Sequence, residues 1–204
     1  MQVKDMFLRN ERYLLHLIIA IIIFLTTSKA HPNPDDKTII LKHLNSLKDF
    51  SASFIQNDRE NLSEGKVYIG KKRVRIEYFT PTKILIILDE SKAMYYNYEL
   101  DEDEFFNPKN TNAWFLYDIF NNPFFLEKSL IKNKDNQLII QKNDVDNEEN
   151  KYTIKIFFEK NPLVLRKLEV IINKELLTLS IYNHNYNEEF DNDFFKLINP
   201  KYFN

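Results

Sequence analysis

The chain reads as a mostly-β, α+β protein, with antiparallel strands and helices at its N-terminal end and in its middle. Three observations carry this. The apolar period is helical as far as Leu47 and switches to two from Phe50 onward. Short, turn-rich connections join the apolar runs, without the strand–helix alternation that builds a parallel sheet. One block, residues 111–130, returns to helical character.

His31 to Asp36 is a Pro-, Asn- and Asp-rich lead. Ile40, Leu41, Leu44 and Leu47 then recur at helical spacing, which predicts a helix over residues 36–48 capped by Asp35 or Asp36. Phe50, Ala52, Phe54 and Gln56 alternate with Ser51, Ser53 and Ile55. After the turn-rich Asn57 to Ser63, Val67 and Ile69 alternate with Lys66, Tyr68 and Gly70. Val74, Ile76 and Tyr78 alternate with Arg73, Arg75 and Glu77, giving a strand apolar on one face and charged on the other. Thr80, Pro81 and Thr82 break it. Lys83 to Asp89 is apolar on both faces, as a strand covered on both sides is. Beyond the turn Asp89 to Lys92, Met94, Tyr96 and Tyr98 alternate with Ala93, Tyr95 and Asn97. Leu100 to Glu104 reads as a turn and Phe105–Phe106 as a short strand.

In the middle block, Thr111 or Asn112 caps a helix bearing Trp114, Phe115, Tyr117, Ile119 and Phe120. Asn121, Asn122 and Pro123 stop it, and Phe124 to Leu130 reads as a second short helix. The block holds six aromatic residues. Strands resume at Gln137–Gln141, Tyr152–Phe158, Leu163–Ile172, Leu176–Tyr182 and Phe194–Ile198. An acidic loop, Asn143–Asn150, and a polar stretch, Asn183–Glu189, lie between them.

The first thirty residues are of another kind. Lys4, Arg9 and Arg12 precede an apolar run of 13 residues, Tyr13 to Leu25, and then Thr26, Thr27, Ser28, Lys29 and Ala30. That is the layout of a secretory signal, with Ser28 and Ala30 at the −3 and −1 positions of a cut. The run is shorter than the roughly 20 residues that span a membrane. The alternative is an uncleaved anchor, because Lys29 sits inside the cleavage region. The expectation is a cleaved signal over 1–30 and a single domain over 31–204, outside the cytoplasm and in the periplasm.

Of the 28 Lys/Arg and 30 Asp/Glu, four and two fall in residues 1–30, so the remainder carries a net charge of −4. A binder of nucleic acid needs a basic field, and none is present. There is no cysteine, which excludes a disulfide framework, a thiol nucleophile, zinc–thiolate sites and a lipidated N-terminal Cys. With only two glycines, glycine-rich phosphate loops are excluded, and the turns must use Asn and Asp. The four histidines never stand at i, i+4 on one helix, so a metal cluster or a Ser–His pair has no support. Asp101 to Glu104 reads as a solvated hairpin tip. Asp144, Asp146 and Glu148 alternate like calcium ligands but lack the glycine of a compact calcium loop. No catalytic reading rises above background. What does rise is aromatic content: 17 Phe, 11 Tyr and one Trp. They fill either an ordinary core or a curved sheet around an apolar cavity, capped by the first helix and the aromatic block.

The order of these segments resembles the periplasmic lipoprotein carrier family of the Lol pathway, the LolA family. Phe50, Phe54 and Gln56 match its opening Phe-x-x-x-Phe-x-Gln strand. Gly65 to Gly70, the turn Lys71–Lys72, Arg75 to Tyr78 and Pro81 match the segments after it. Ile84–Leu88, Asp89–Glu90 and Tyr95 to Asn97 follow, then the apolar helix Trp114–Phe120 and the closing stretch Phe195 to Pro200. The resemblance covers roughly residues 36–200. Two departures stand out: Asp89–Glu90 replaces an Asp-Gly turn, and Lys71–Lys72 replaces an Arg-Pro turn.

The resemblance implies an incomplete, strongly curved antiparallel β-barrel with helices over its open side. It implies a non-enzymatic, monomeric chaperone without cofactor or metal that shields lipoprotein acyl chains. Its partners would be the inner-membrane ABC lipoprotein-release complex and the outer-membrane lipoprotein acceptor. A sensor or adaptor with the same fold is the alternative. The cavity would be lined by Val67, Ile69, Val74, Ile76, Tyr78, Ile86, Leu88, Met94 and Tyr96. The lid would present Leu44, Trp114, Phe115 and Phe120. In the family the turn Arg is held to bond the lid backbone and govern opening, which makes Lys71, Lys72 and Arg75 gating candidates here, although lysine lacks the planar fork.

Overall fold

The computed structural model describes residues 34–111, 113–145 and 151–203. The proposed signal, and Asp146 and Glu148 of the acidic loop, lie outside the described residues. A helix, α1 (Pro34–Ser46), leads into strands β1 (Phe50–Asn57), β2 (Leu62–Gly70), β3 (Arg73–Thr80), β4 (Ile84–Leu88), β5 (Ala93–Asn97) and β6 (Glu102–Phe106). A second helix, α2 (Trp114–Asn121), precedes β7 (Leu130–Lys134), β8 (Gln137–Val145), β9 (Lys151–Glu159), β10 (Val164–Ile172) and β11 (Glu175–Tyr186).

All eleven strands form one antiparallel sheet in the order β6-β5-β4-β3-β2-β1-β11-β10-β9-β8-β7. Every joint but one is between sequence neighbours; the exception, between β1 and β11, joins the two halves in the middle of the order. The sheet is strongly curved and open. Its edges are therefore β6 and β7, which are consecutive in the chain. The segment between them, with α2, has to cross from one edge to the other. One apolar cluster runs from Leu88 and Ala93 through β1 to Ile131 and Ile140, and takes in Phe115 and Ile119 of α2 and Ile40 of α1. That is the inner face.

Turn chemistry follows from the scarcity of glycine. The two-residue links Lys71–Lys72 and Asn173–Lys174 both have φ of +51° to +73°, the left-handed pair that a tight hairpin needs. Neither glycine has positive φ. Each is needed for close approach instead. Gly65 lies under the Phe54 ring on the inner face, and a Cβ there would strike that ring and the Glu77 carbonyl oxygen. Gly70 lies under Phe190 and Phe195 on the outer face.

Two predicted elements differ, and one strand is additional. Residues 123–128 form consecutive turns rather than a helix, with i→i+3 bonds such as Phe125 N–H to Asn122 O at 3.1 Å. Phe194–Ile198 is not a strand: its Phe194 and Phe195 rings lie across the outer face of β2 and β3, with no ladder partner. The edge strand β7 takes that place in the count.

Candidate functional site

A cavity of 730 Å³ lies between the inner face and α2. One wall is Ile76, Tyr78 and Ile86 of β3 and β4; the opposite wall is Leu168, Val170, Leu177 and Leu179 of β10 and β11; Phe115, Leu116 and Ile119 of α2 form the roof. Its volume falls in the range of about 300–1,000 Å³ for small-molecule pockets. Charged residues sit at one end: Asp58, Arg59 and Glu60 from the β1–β2 loop and Glu175 from the β10–β11 hairpin. A second cavity of 480 Å³ lies between Leu41 and Leu44 of α1, Ile69 of β2 and Phe120, Phe125 and Leu126 after α2. Ile119 borders both.

The structure separates the predicted residues into groups. Ile76, Tyr78, Ile86 and Phe115 line the larger cavity, and Leu44, Ile69 and Phe120 the smaller. Val67, Val74 and Leu88 are buried in the cluster beneath. Trp114 is half-buried and stacks on Tyr117 at 4.8 Å. Met94 and Tyr96 belong on the other side of the sheet. They pack with Leu85 and Ile87 in a separate outer cluster. β4 is apolar on both faces, so its pattern says nothing about facing. The turn decides: Asp89 N–H reaches Lys92 O at 2.9 Å and the Asp89 carboxylate accepts Lys92 N–H at 2.7 Å. Leu88 then pairs with Ala93 and Ile87 with Met94. The second wall, on β10 and β11, is missing from the sequence-based set. The alternation of Leu168, Val170 and Ile172 is the signal that points to it.

The cavity contains one polar pair. The Tyr78 hydroxyl donates to Gln56 Oε1 at 2.8 Å, and the Tyr78 ring meets Phe54 edge-on at 5.2 Å. Burial pushes the Tyr78 phenol up to about 12, so it stays a neutral donor.

The roof is fixed by a buried charge pair. Every residue from Phe115 to Ile119 is buried, so Asp118 has no solvent to face. It meets Lys142 Nζ of β8 at 3.4 Å, and both residues are under 10% exposed. Asn122 Nδ2 donates to the other Asp118 oxygen at 2.7 Å, and the Lys142 ammonium lies 4.6 Å from the Phe125 ring centre. Apart from packing, α2 is thereby tied to the β7–β9 side of the opening.

Of the gating candidates, Lys71 and Lys72 border the smaller cavity and Arg75 lies on the outer face, and the hydrogen bonds of Lys71 and Arg75 run to the tail. Lys71 Nζ donates to Phe190 O, Asp191 O and Asn192 Oδ1, and Arg75 Nη1 to Phe194 O at 2.7 Å. Arg73 Nη1 donates to Phe195 O at 2.9 Å. These acceptors belong to the C-terminal tail on the outer face, not to α1 or α2. Lys72 has no hydrogen-bond or ion-pair partner among the described residues. The hairpin tip at Asp101 is also a tail contact: Asp101 pairs with Lys201 and accepts the Tyr96 hydroxyl at 2.8 Å. Asn199 Nδ2 donates to Asp103 at 2.8 Å.

His43 of α1 meets Phe158 edge-on at 5.7 Å, and its Nε2 is buried without a hydrogen bond. Burial, then His184, hold its pKa below the ordinary 6.5. Burial also lowers His184, against the raising effect of its bond to Leu165 O. Among the described residues no cluster of three metal-ligating side chains occurs, and no helix is long and apolar enough to cross a membrane.

Three known proteins are similar to this chain in sequence or in fold. An uncharacterized protein of Rickettsia prowazekii (strain Madrid E), RP864, is 26% identical over 202 residues, covering 92% of this chain and 89% of that one. An uncharacterized conserved protein of Thermus thermophilus has a similar fold, with a TM-score of 0.50 at 9% identity over 76% of this chain and 90% of that one. MucB gives a TM-score of 0.48 at 9% identity, over 82% of this chain and 64% of that one. The model of the outer membrane lipoprotein carrier protein LolA matches residues 45–198, so an open curved sheet with a helix across its gap is here the fold of a LolA family member.

Proposed function

We propose that this chain is a non-enzymatic periplasmic carrier that shelters the acyl chains of lipoproteins on their way from the inner to the outer membrane. The observation that carries the proposal is the 730 Å³ cavity, with aliphatic walls from both halves of the sheet and a helical roof. Each methylene moved from water into such a space gains about 0.8 kcal/mol, so even part of an acyl chain supplies useful affinity. Family membership supports the choice of lipoprotein as cargo. The chain would take cargo from an inner-membrane release complex that supplies the energy, and pass it to an outer-membrane acceptor.

Movement of α2 is the mechanical step in this reading. The roof is held by side chains rather than by the sheet ladder, so it can lift without unzipping a strand. The test is release of a labelled triacylated lipoprotein from inner-membrane vesicles. Added chain is expected to bring the lipoprotein into the soluble fraction as a one-to-one complex. Lipoprotein that stays on the vesicles at every concentration of added chain would refute the carrier reading.

A further inference from the structure

Along the strand walls of the larger cavity, inside its charged mouth, the polar side chains are Gln56 and Tyr78. Gln56 ends the inner face of β1, two residues before Asp58 of the charged loop that forms the mouth. Tyr78 stands near the end of β3 on the same face, and Gly65, paired with both Phe54 and Tyr78, lets the Phe54 ring meet the Tyr78 ring edge-on. The Tyr78 hydroxyl donates to Gln56 Oε1 at 2.8 Å and so fixes the plane of the amide. That leaves the two N–H groups of Gln56 Nε2 with no partner among the described residues. A primary amide whose oxygen is already engaged offers donors only. The complement of a donor at the border between an apolar interior and a polar mouth is a carbonyl oxygen.

We infer that the Gln56–Tyr78 pair is a carbonyl-binding handle that positions the ester or amide group of an acyl lipid at the cavity mouth, with its chain directed inward. The inference rests on the reading of this cavity as an acyl-chain site, and it adds the residue that distinguishes acyl lipids from other apolar molecules. Leaving a half-buried donor unpaired costs more than a neutral hydrogen bond gains, so ligands without a carbonyl bind more weakly. Gln56 sets the preference. Tyr78 acts through it, as a positioning residue.

The experiment uses the chain as purified from cells and stripped of lipid, with the neutral dye N-phenyl-1-naphthylamine displaced in turn by methyl decanoate and by decyl methyl ether. The two competitors match in length and differ by one carbonyl. The ester is expected to displace the dye about 5-fold better, the factor that one net hydrogen bond of about 1 kcal/mol represents. Gln56→Leu is expected to abolish the preference while both competitors still bind. Gln56→Glu keeps the size and exchanges donors for acceptors, and is expected to abolish it too. Tyr78→Phe should reduce it. Ile86→Trp, which fills the cavity, should weaken ester and ether alike. Dye binding with equal displacement by ester and ether overturns the handle and leaves the carrier reading in place. A preference that persists in both Gln56 variants also overturns it. Absence of any binding by the dye and both competitors overturns the handle and the acyl-chain reading together.

Discussion

On its inner face the sheet is roofed by a helix that leaves a 730 Å³ space, and on its outer face it is sealed by a tail whose Phe195 is 1% exposed. Both covers are apolar and aromatic, so the composition of the covers does not separate them. What separates them is how each cover is attached. The tail is laid down by donors matched to its backbone: Lys71, Arg73 and Arg75 take up carbonyls at Phe190, Phe195 and Phe194, and the rings fill the gaps between. The roof has one buried ion pair and apolar contacts. A void survives where a cover is held at few points. A sealed core forms where the cover is pinned repeatedly along its backbone.

The sharpest way to break the comparison is at Asp118. Asp118→Ala leaves the buried Lys142 with Asp144 alone, at 3.9 Å, which is expected to cost about 3 kcal/mol in urea unfolding. Replacing both residues with Leu should recover most of that loss, since an apolar pair of similar volume is often neutral. If the single variant is no less stable than the parent, the ion pair does not hold the roof.

The two glycines rank next. Gly65→Ala drives a Cβ into the Glu77 carbonyl, which is backbone and cannot yield, so a loss of about 1–3 kcal/mol is expected. Gly70→Ala meets only the Phe190 and Phe195 rings, which the tail can withdraw. Its expected signature is faster proteolysis within residues 187–203 with a smaller change in Tm. Equal Tm losses for the two would contradict the distinction between a rigid inner face and a detachable outer cover.

A smaller effect is expected at the β2–β3 turn. Lys71→Leu removes three tail contacts and should cost about 0.5–1.5 kcal/mol with release of the tail. Lys72→Leu removes none and should stay within about 0.5 kcal/mol of the parent. The reverse order would restore a role for Lys72 at the roof.

The smallest effect concerns pH. Burial holds His43 and His184 below the ordinary 6.5, so just under that pH the unfolded chain binds more protons than the folded one. Their contribution is fully present above 6.5 and is lost as the pH falls toward the folded-state values. Tm should therefore fall as the pH is lowered from about 7.5 to about 5.5, and fall less in His43→Phe. An unchanged slope in that variant would remove His43 from the account.

How much of this was legible depended on whether a strand had two different faces. β3, with Val74 and Ile76 against Arg73 and Arg75, was readable outright. β4 was not, because Leu85 and Ile87 are as apolar as Ile84 and Ile86, and the error passed to Met94 and Tyr96. β7 was missed because an edge strand such as Leu-Ile-Lys-Asn-Lys buries only Ile131. Phe194–Phe195 read as a strand because apolar rings at a sheet surface look alike whether they join the ladder or lie across it. The Asp118–Lys142 pair could be found only in part: a carboxylate inside a helix that is apolar all round demands a partner, but nothing in the sequence says which. The turn residues had the same difficulty in reverse, since charge at Lys71 and Arg75 was visible and its target, 119 or more residues away, was not.

The most direct test of the central claim is native mass spectrometry of the chain purified from lipoprotein-producing cells, beside Ile86→Trp and Phe190→Ala. The account predicts an acylated adduct on the parent chain, its loss when Ile86→Trp fills the inner cavity, and its retention when Phe190→Ala loosens the outer cover. An adduct that survives Ile86→Trp and disappears with Phe190→Ala would place the lipid on the outer face and contradict the account.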